Sequence, residues 1–149
     1  MASMTTNKLR QLLLNTGINL LTDTIKVMLV QTSYTPDKDH DFVSSITGGT
    51  TKEIAGTGYT GGFGGGGRKT LASKTVAKDD TGDVAFFDAA DSAWTGLDAG
   101  TVGFAVLIKE VTSDADSPII AIVDVSPDIV TNTGDYTIQW AATGIFNIA

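Results

Sequence analysis

Residues 56–70 read GTGYTGGFGGGGRKT, and two incompatible architectures hang on them. Gly56-Thr57-Gly58-Tyr59-Thr60-Gly61 matches the dinucleotide fingerprint G-x-G-x-x-G letter for letter. That fingerprint works when its glycines turn a strand into a helix, whose N-terminus then receives the pyrophosphate. A parallel α/β sheet would follow. Here the next residues are Gly62-Phe63-Gly64-Gly65-Gly66-Gly67. Glycine costs about 1 kcal/mol per residue in a helix relative to alanine, so this run cannot supply the helix. Asp79 and Asp80 lie near the usual offset of a ribose-binding acid, but they sit in a Thr-Gly turn. A P-loop fails more directly, because it needs Gly immediately before the Lys and Arg68 stands there. The reading that remains is a loop, or a strand edge packed closely against another backbone.

With the helix removed, the flanking sequence reads as strands. Thr101 to Val111 is the strongest, with Val102, Phe104, Val106 and Ile108 predicted on one side and Ala105, Leu107 and Lys109 on the other. Ile119 to Val125 is a second, expected to end at Ser126-Pro127-Asp128. Asp23 to Gln31, Arg68 to Val76, Val84 to Asp88, Asp135 to Ala141 and Ile145 to Ile148 are further strands, and Lys52 to Ala55 a short one. Trp140 alternates with Ile138 and Tyr136, which predicts core packing. Residues 7–16 predict the one clear helix, with Leu9, Leu12 and Leu13 on a single stripe, Thr6 or Asn7 as N-cap and Gly17 as C-cap. Residues 40–47 allow one or two helical turns. Short strands about 8–12 residues apart, with Gly and Asp between them, predict an all-β chain. The expected form is a single β-sandwich or jelly-roll-like domain over residues 17–149, with an N-terminal arm or helix over residues 1–16.

Composition narrows the function classes. A chain of 149 residues buries roughly 70% of the surface its unfolded form exposes. It therefore folds without the staples that its lack of cysteine denies it. That lack also removes disulfides, thiolate metal sites and cysteine nucleophiles. A net charge of −7 argues against a nucleic-acid surface and against adhesion to anionic membrane. The longest apolar run, Ile119 to Val123, is far short of a membrane span. The first four residues carry no signal-peptide pattern.

Catalytic chemistry has little to build on. His40 is the sole histidine and sits in an acidic turn. Asp37, Asp39 and Asp41 begin like a calcium loop, but Phe42 replaces the required Gly and Gly48 the closing Glu. The aspartates at 79–83 and 114–116 suit turn chemistry. No cofactor and no metal are assigned.

The segments LLLNTGINLLTDTIKVMLVQTSYTPDKDHDF, EIAGTGYT, DVAFFDAADSAWTGL, GFAVLIKEV, SPIIAIVDV and GDYTIQWAATGIFNI resemble, in that order, a family of small virion structural proteins of tailed bacteriophages. The likeness spans about residues 8 to 148, and only Gly61 to Lys69 departs from it, as a glycine-rich insertion. It implies a non-enzymatic particle component, expected to be a head decoration (cement) protein on the outer surface of the head. The expected partners are the major capsid protein and further copies of itself, as a homotrimer, with no nucleic acid and no membrane. Assembly would take place in the host bacterial cytoplasm. The alternative is a tail or fibre component with a receptor- or glycan-binding role, for which Tyr34, Tyr59 and Phe63 are the loop aromatics. The residues expected to contact capsid or neighbouring subunits are Leu9, Leu12, Leu13, Tyr59, Phe63, Arg68 and Lys69. Residues 1–16 would reach a neighbour as an arm or cover one end of the sandwich as a helix.

Overall fold

The computed structural model describes residues 3–149. Its strands are β1 (Ser3–Thr5), β2 (Ile25–Gln31), β3 (Lys69–Thr70), β4 (Thr75–Asp79), β5 (Val84–Asp88), β6 (Ser92–Leu97), β7 (Thr101–Lys109), β8 (Ile119–Val130), β9 (Gly134–Ile138) and β10 (Phe146–Ile148). The helices are α1 (Asn7–Leu14) and α2 (Ser44–Thr47). Every ladder is antiparallel. A five-stranded sheet runs β1-β8-β7-β2-β3, a three-stranded sheet β10-β5-β4, and β6 pairs with β9. The chain is all-β and sandwich-like, with one short N-terminal helix.

The centre of the large sheet is buried on both faces. Val27, Leu29, Ala105, Leu107 and Val123 point inward to Phe87 and Phe146 of the three-stranded sheet and to Trp94, Leu97 and Ile138 of the two-stranded one. Met28, Val30, Val106, Ile108 and Ile122 point the other way and are covered by Tyr34, Val43 and Ile46, from the 34–43 loop and α2. This is why β2, β7 and β8 read as nearly continuous apolar runs rather than as clean alternation. Each fully buried Leu, Ile or Val contributes about 1.5–3 kcal/mol from burial alone.

Two irregularities change the expected facing. The β2–β7 register steps from Val30↔Phe104 to Gln31↔Val102, so Gly103 is an extra residue of β7, and the β7–β8 register steps from Val102↔Ile129 to Phe104↔Asp124, where four residues of β8 bulge opposite Gly103. Val102 consequently packs with Ala105 in the sandwich interior, not with Val106 and Ile108 as the alternation predicts. The same bulge lets β8 continue past Pro127 to Val130, because a proline within a bulge owes the ladder no N–H.

The helix is as expected at its start, where the Thr6 hydroxyl accepts from Leu9 N–H at 3.1 Å and donates to the Ile119 carbonyl at 2.6 Å. Its end differs. Asn15 is the C-cap, Thr16 takes the left-handed conformation at φ 58°, and the Gly17 N–H returns to the Leu12 carbonyl. Two further differences are local. Residues 68–76 split into β3 and β4, and Trp140 lies half-buried beyond the end of β9 while Trp94 is the tryptophan in the core.

Candidate functional site

The glycine stretch folds back on itself and uses its own polar groups. Gly56 and Tyr59 exchange backbone hydrogen bonds, and Thr57 bridges to Asp98. Gly58, at φ 75°, brings this turn so close to β6 that a Cβ would sit 2.7 Å from the Gly96 carbonyl oxygen. The amides of Gly62, Gly65 and Gly67 are donated to the Glu53 carboxylate, the Gly62 carbonyl and the Thr60 carbonyl. β3 follows, not a helix. No helix N-terminus follows the turn to receive a phosphate, and the stretch divides between the two remaining readings: Gly56, Gly58 and Gly67 pack closely against other groups, while Gly62, Gly64 and Gly66 face open space as a loop.

Beneath this turn lies a buried polar cluster. Arg68 Nε and Nη2 donate to the two oxygens of Glu53 at 2.9 and 2.7 Å. Its Nη1 and Nη2 donate to Asp114 at 2.6 and 3.1 Å. The Arg68 side chain is 0% exposed, Glu53 3% and Asp114 20%. The Tyr59 hydroxyl donates to Glu53 at 2.9 Å and accepts from the Leu29 N–H of β2 at 3.0 Å. Thr47 of α2 donates to Asp114 at 2.9 Å. Trp94 Nε1 donates to the Gly67 carbonyl. The cluster thus ties the glycine turn, β2, α2 and the 112–118 loop to one guanidinium.

Electrostatics follow from that geometry. Burial pushes the Tyr59 phenol well above its ordinary value, and the Glu53 charge adds to this. For Asp114, burial pushes the carboxyl up, but hydrogen bonds from Arg68 and Thr47 outweigh it and the net shift is downward. Arg68 is opposed by burial and held firmly charged by Glu53 and Asp114. A buried guanidinium that gives four of its five N–H donors to two carboxylates of its own chain positions structure. Among the described residues no group of three His, Cys, Asp or Glu is placed to hold a metal ion.

The surface offers a different feature. An apolar groove of about 200 Å³ runs between the end of α1 and the three-stranded sheet, lined by Leu13, Leu20, Val76, Ala85, Phe86 and Ile148 among others. Val76 is 50% exposed, and Leu14, next to Leu13, is 89% exposed. The groove exists because the β4–β5 hairpin overshoots the core. Phe87 and Phe146 pack inward, while Val76 and Ala85, on the same sheet face, run on into solvent.

The expected contact residues are divided. Leu9, Tyr59 and Arg68 are interior side chains of their own chain and present no surface to a partner. Leu9 is covered by the sandwich, and the other two meet at Glu53. Leu12 packs half-buried on the core, Leu13 lines the groove, Phe63 is exposed in the glycine loop, and Lys69 is half-buried in β3. Sequence reasoning missed Glu53 and Asp114 as partners of Arg68. The one available signal was that Glu53 is one of two glutamates and lies in a β-prone segment. It also missed Val76, Ala85 and Phe86. The consecutive Val84-Ala85-Phe86-Phe87, in a strand that should have a polar face, was the cue.

Comparison of the chain with protein-family models, curated proteins and solved structures finds no match. The likeness to phage virion proteins rests on the sequence segments quoted above.

Proposed function

We propose that this chain is a structural protein of a tailed-phage virion, a decoration (cement) protein bound to the outer surface of the head lattice through the major capsid protein and through copies of itself. The observation that carries the reading is the open apolar groove between α1 and the three-stranded sheet. A small acidic domain keeps such a surface when assembly covers it. The resemblance of the ordered segments supplies the particle. The buried Arg68–Glu53–Asp114 cluster suits a scaffold better than a catalyst, since its one cation is shared between two carboxylates that tie separate segments together. The surplus of negative charge keeps the domain from sticking to packaged DNA. The tail or fibre alternative draws on exposed loop aromatics, and of Tyr34, Tyr59 and Phe63 only Phe63 is exposed.

The test is cryo-electron microscopy of the intact virion, with the purified chain added back to heads that lack it. Density at repeated positions of the head lattice supports the reading. Density confined to the tail, or no binding to heads, overturns it and promotes the alternative.

A further inference from the structure

The apolar groove does not end in solvent. At Ile148 it meets a cleft of about 720 Å³ between the edge strands β1 and β10, lined also by Arg10 and Lys38. These two are the charged side chains of the cleft. Among the described residues neither belongs to an ion pair, as is also true of Lys8, Lys52, Lys69 and Lys74, but Arg10 and Lys38 are the two that line this cleft. The opposite charge is displayed on the hairpin that forms the other wall. All five residues of β4 are exposed, β4 is an unpaired edge, and the tip carries Asp79, Asp80 and Asp83. Lys78 pairs with Asp80 and leaves the other two carboxylates without a cation.

We propose that the occupant of this groove is a second copy of the same chain. The acidic hairpin tip of one copy lies against Arg10 and Lys38 of the other, and Val76 of the hairpin packs on the apolar floor beside Leu13. Charge complementarity selects this partner. Copies carrying −7 each repel one another on approach, so association needs a place where opposite charges face across an apolar seam. The groove, its basic flank and the acidic hairpin provide both halves of that contact on every copy, as a self-assembling surface must. The apolar seam explains why Val76 and Leu13 stay exposed in the single chain. The inference stands apart from the choice of head or tail, and purified protein tests it without a virion.

The experiment is sedimentation velocity on the full-length chain over a concentration series, with circular dichroism to confirm that each variant is folded. The wild-type chain is expected to self-associate. Val76→Glu, in the groove wall, and Asp80→Lys, at the tip, should each weaken association at least about tenfold, because each sets a charge against an apolar or like-charged surface. Adding Arg10→Glu to Asp80→Lys should recover much of that loss by restoring opposite charges across the contact. A wild-type chain that is monomeric at every concentration overturns the proposal. So does association that all of these variants leave unchanged, or a double variant no better than Asp80→Lys alone.

Discussion

Replacing Arg68 with methionine tests the buried cluster most directly. The substitution keeps much of the aliphatic stem and removes the guanidinium that makes four hydrogen bonds to two carboxylates. Asp114 lies near solvent and can rehydrate. Glu53, 3% exposed, cannot, and keeps only the Tyr59 hydroxyl and the Gly62 N–H. Breaking a buried pair by removing one partner costs about 3–5 kcal/mol, because the remaining charge is uncompensated. In a chain of this length each kcal/mol moves Tm by about 2–4 °C, so a drop of roughly 6–20 °C is expected. Trp94, bonded to the Gly67 carbonyl beside Arg68, is a built-in fluorescence reporter for urea unfolding. Adding Glu53→Gln to Arg68→Met removes the stranded charge while leaving an acceptor for Tyr59, and it should recover part of the loss. A single variant within about 1 kcal/mol of wild type would refute the reasoning, as would a double variant less stable than the single one.

Three further outcomes follow from the same structure. Asp114 is held below the ordinary carboxyl value of 3.8 in the folded chain, so its contribution is fully present above that pH and is lost as the pH falls through the lower folded value; the urea midpoint of Asp114→Asn should accordingly fall less steeply with acid than that of the wild type. Gly67→Ala drives a Cβ into the Tyr59 ring, which is pinned at its hydroxyl by Glu53 and Leu29, and should cost about 1–3 kcal/mol in thermal unfolding. Thr6→Ala removes both the N-cap of α1 and the bond to the Ile119 carbonyl, and should lower stability by about 1–2 kcal/mol, read as a lower urea midpoint at unchanged slope.

What was legible in the sequence was whatever depends on neighbours along the chain. The glycines after Gly61 rule out a helix by local propensity alone, and the all-β class follows from that exclusion together with the β-branched runs. The Thr6 cap is likewise a matter of a few adjacent residues. What stayed hidden depends on residues far apart. Arg68 and Asp114 are separated by 46 positions, and nothing in either local context says that they meet. Gly103 looks like an ordinary residue in an alternating strand, yet it is an extra residue against β2 and moves Val102 to the other face, because one irregular step inverts a period of two. The groove was hidden for a third reason. Ala85, Phe86 and Ile148 belong to strands expected at Val84–Asp88 and Ile145–Ile148 and found at Val84–Asp88 and Phe146–Ile148, but burial there is decided by where the core ends. The hairpin continues the inner face beyond that limit, so Phe87 is interior while Val76, its partner across the ladder, is half in solvent. The same overshoot that made the surface unreadable from sequence is what leaves an apolar groove open beside α1.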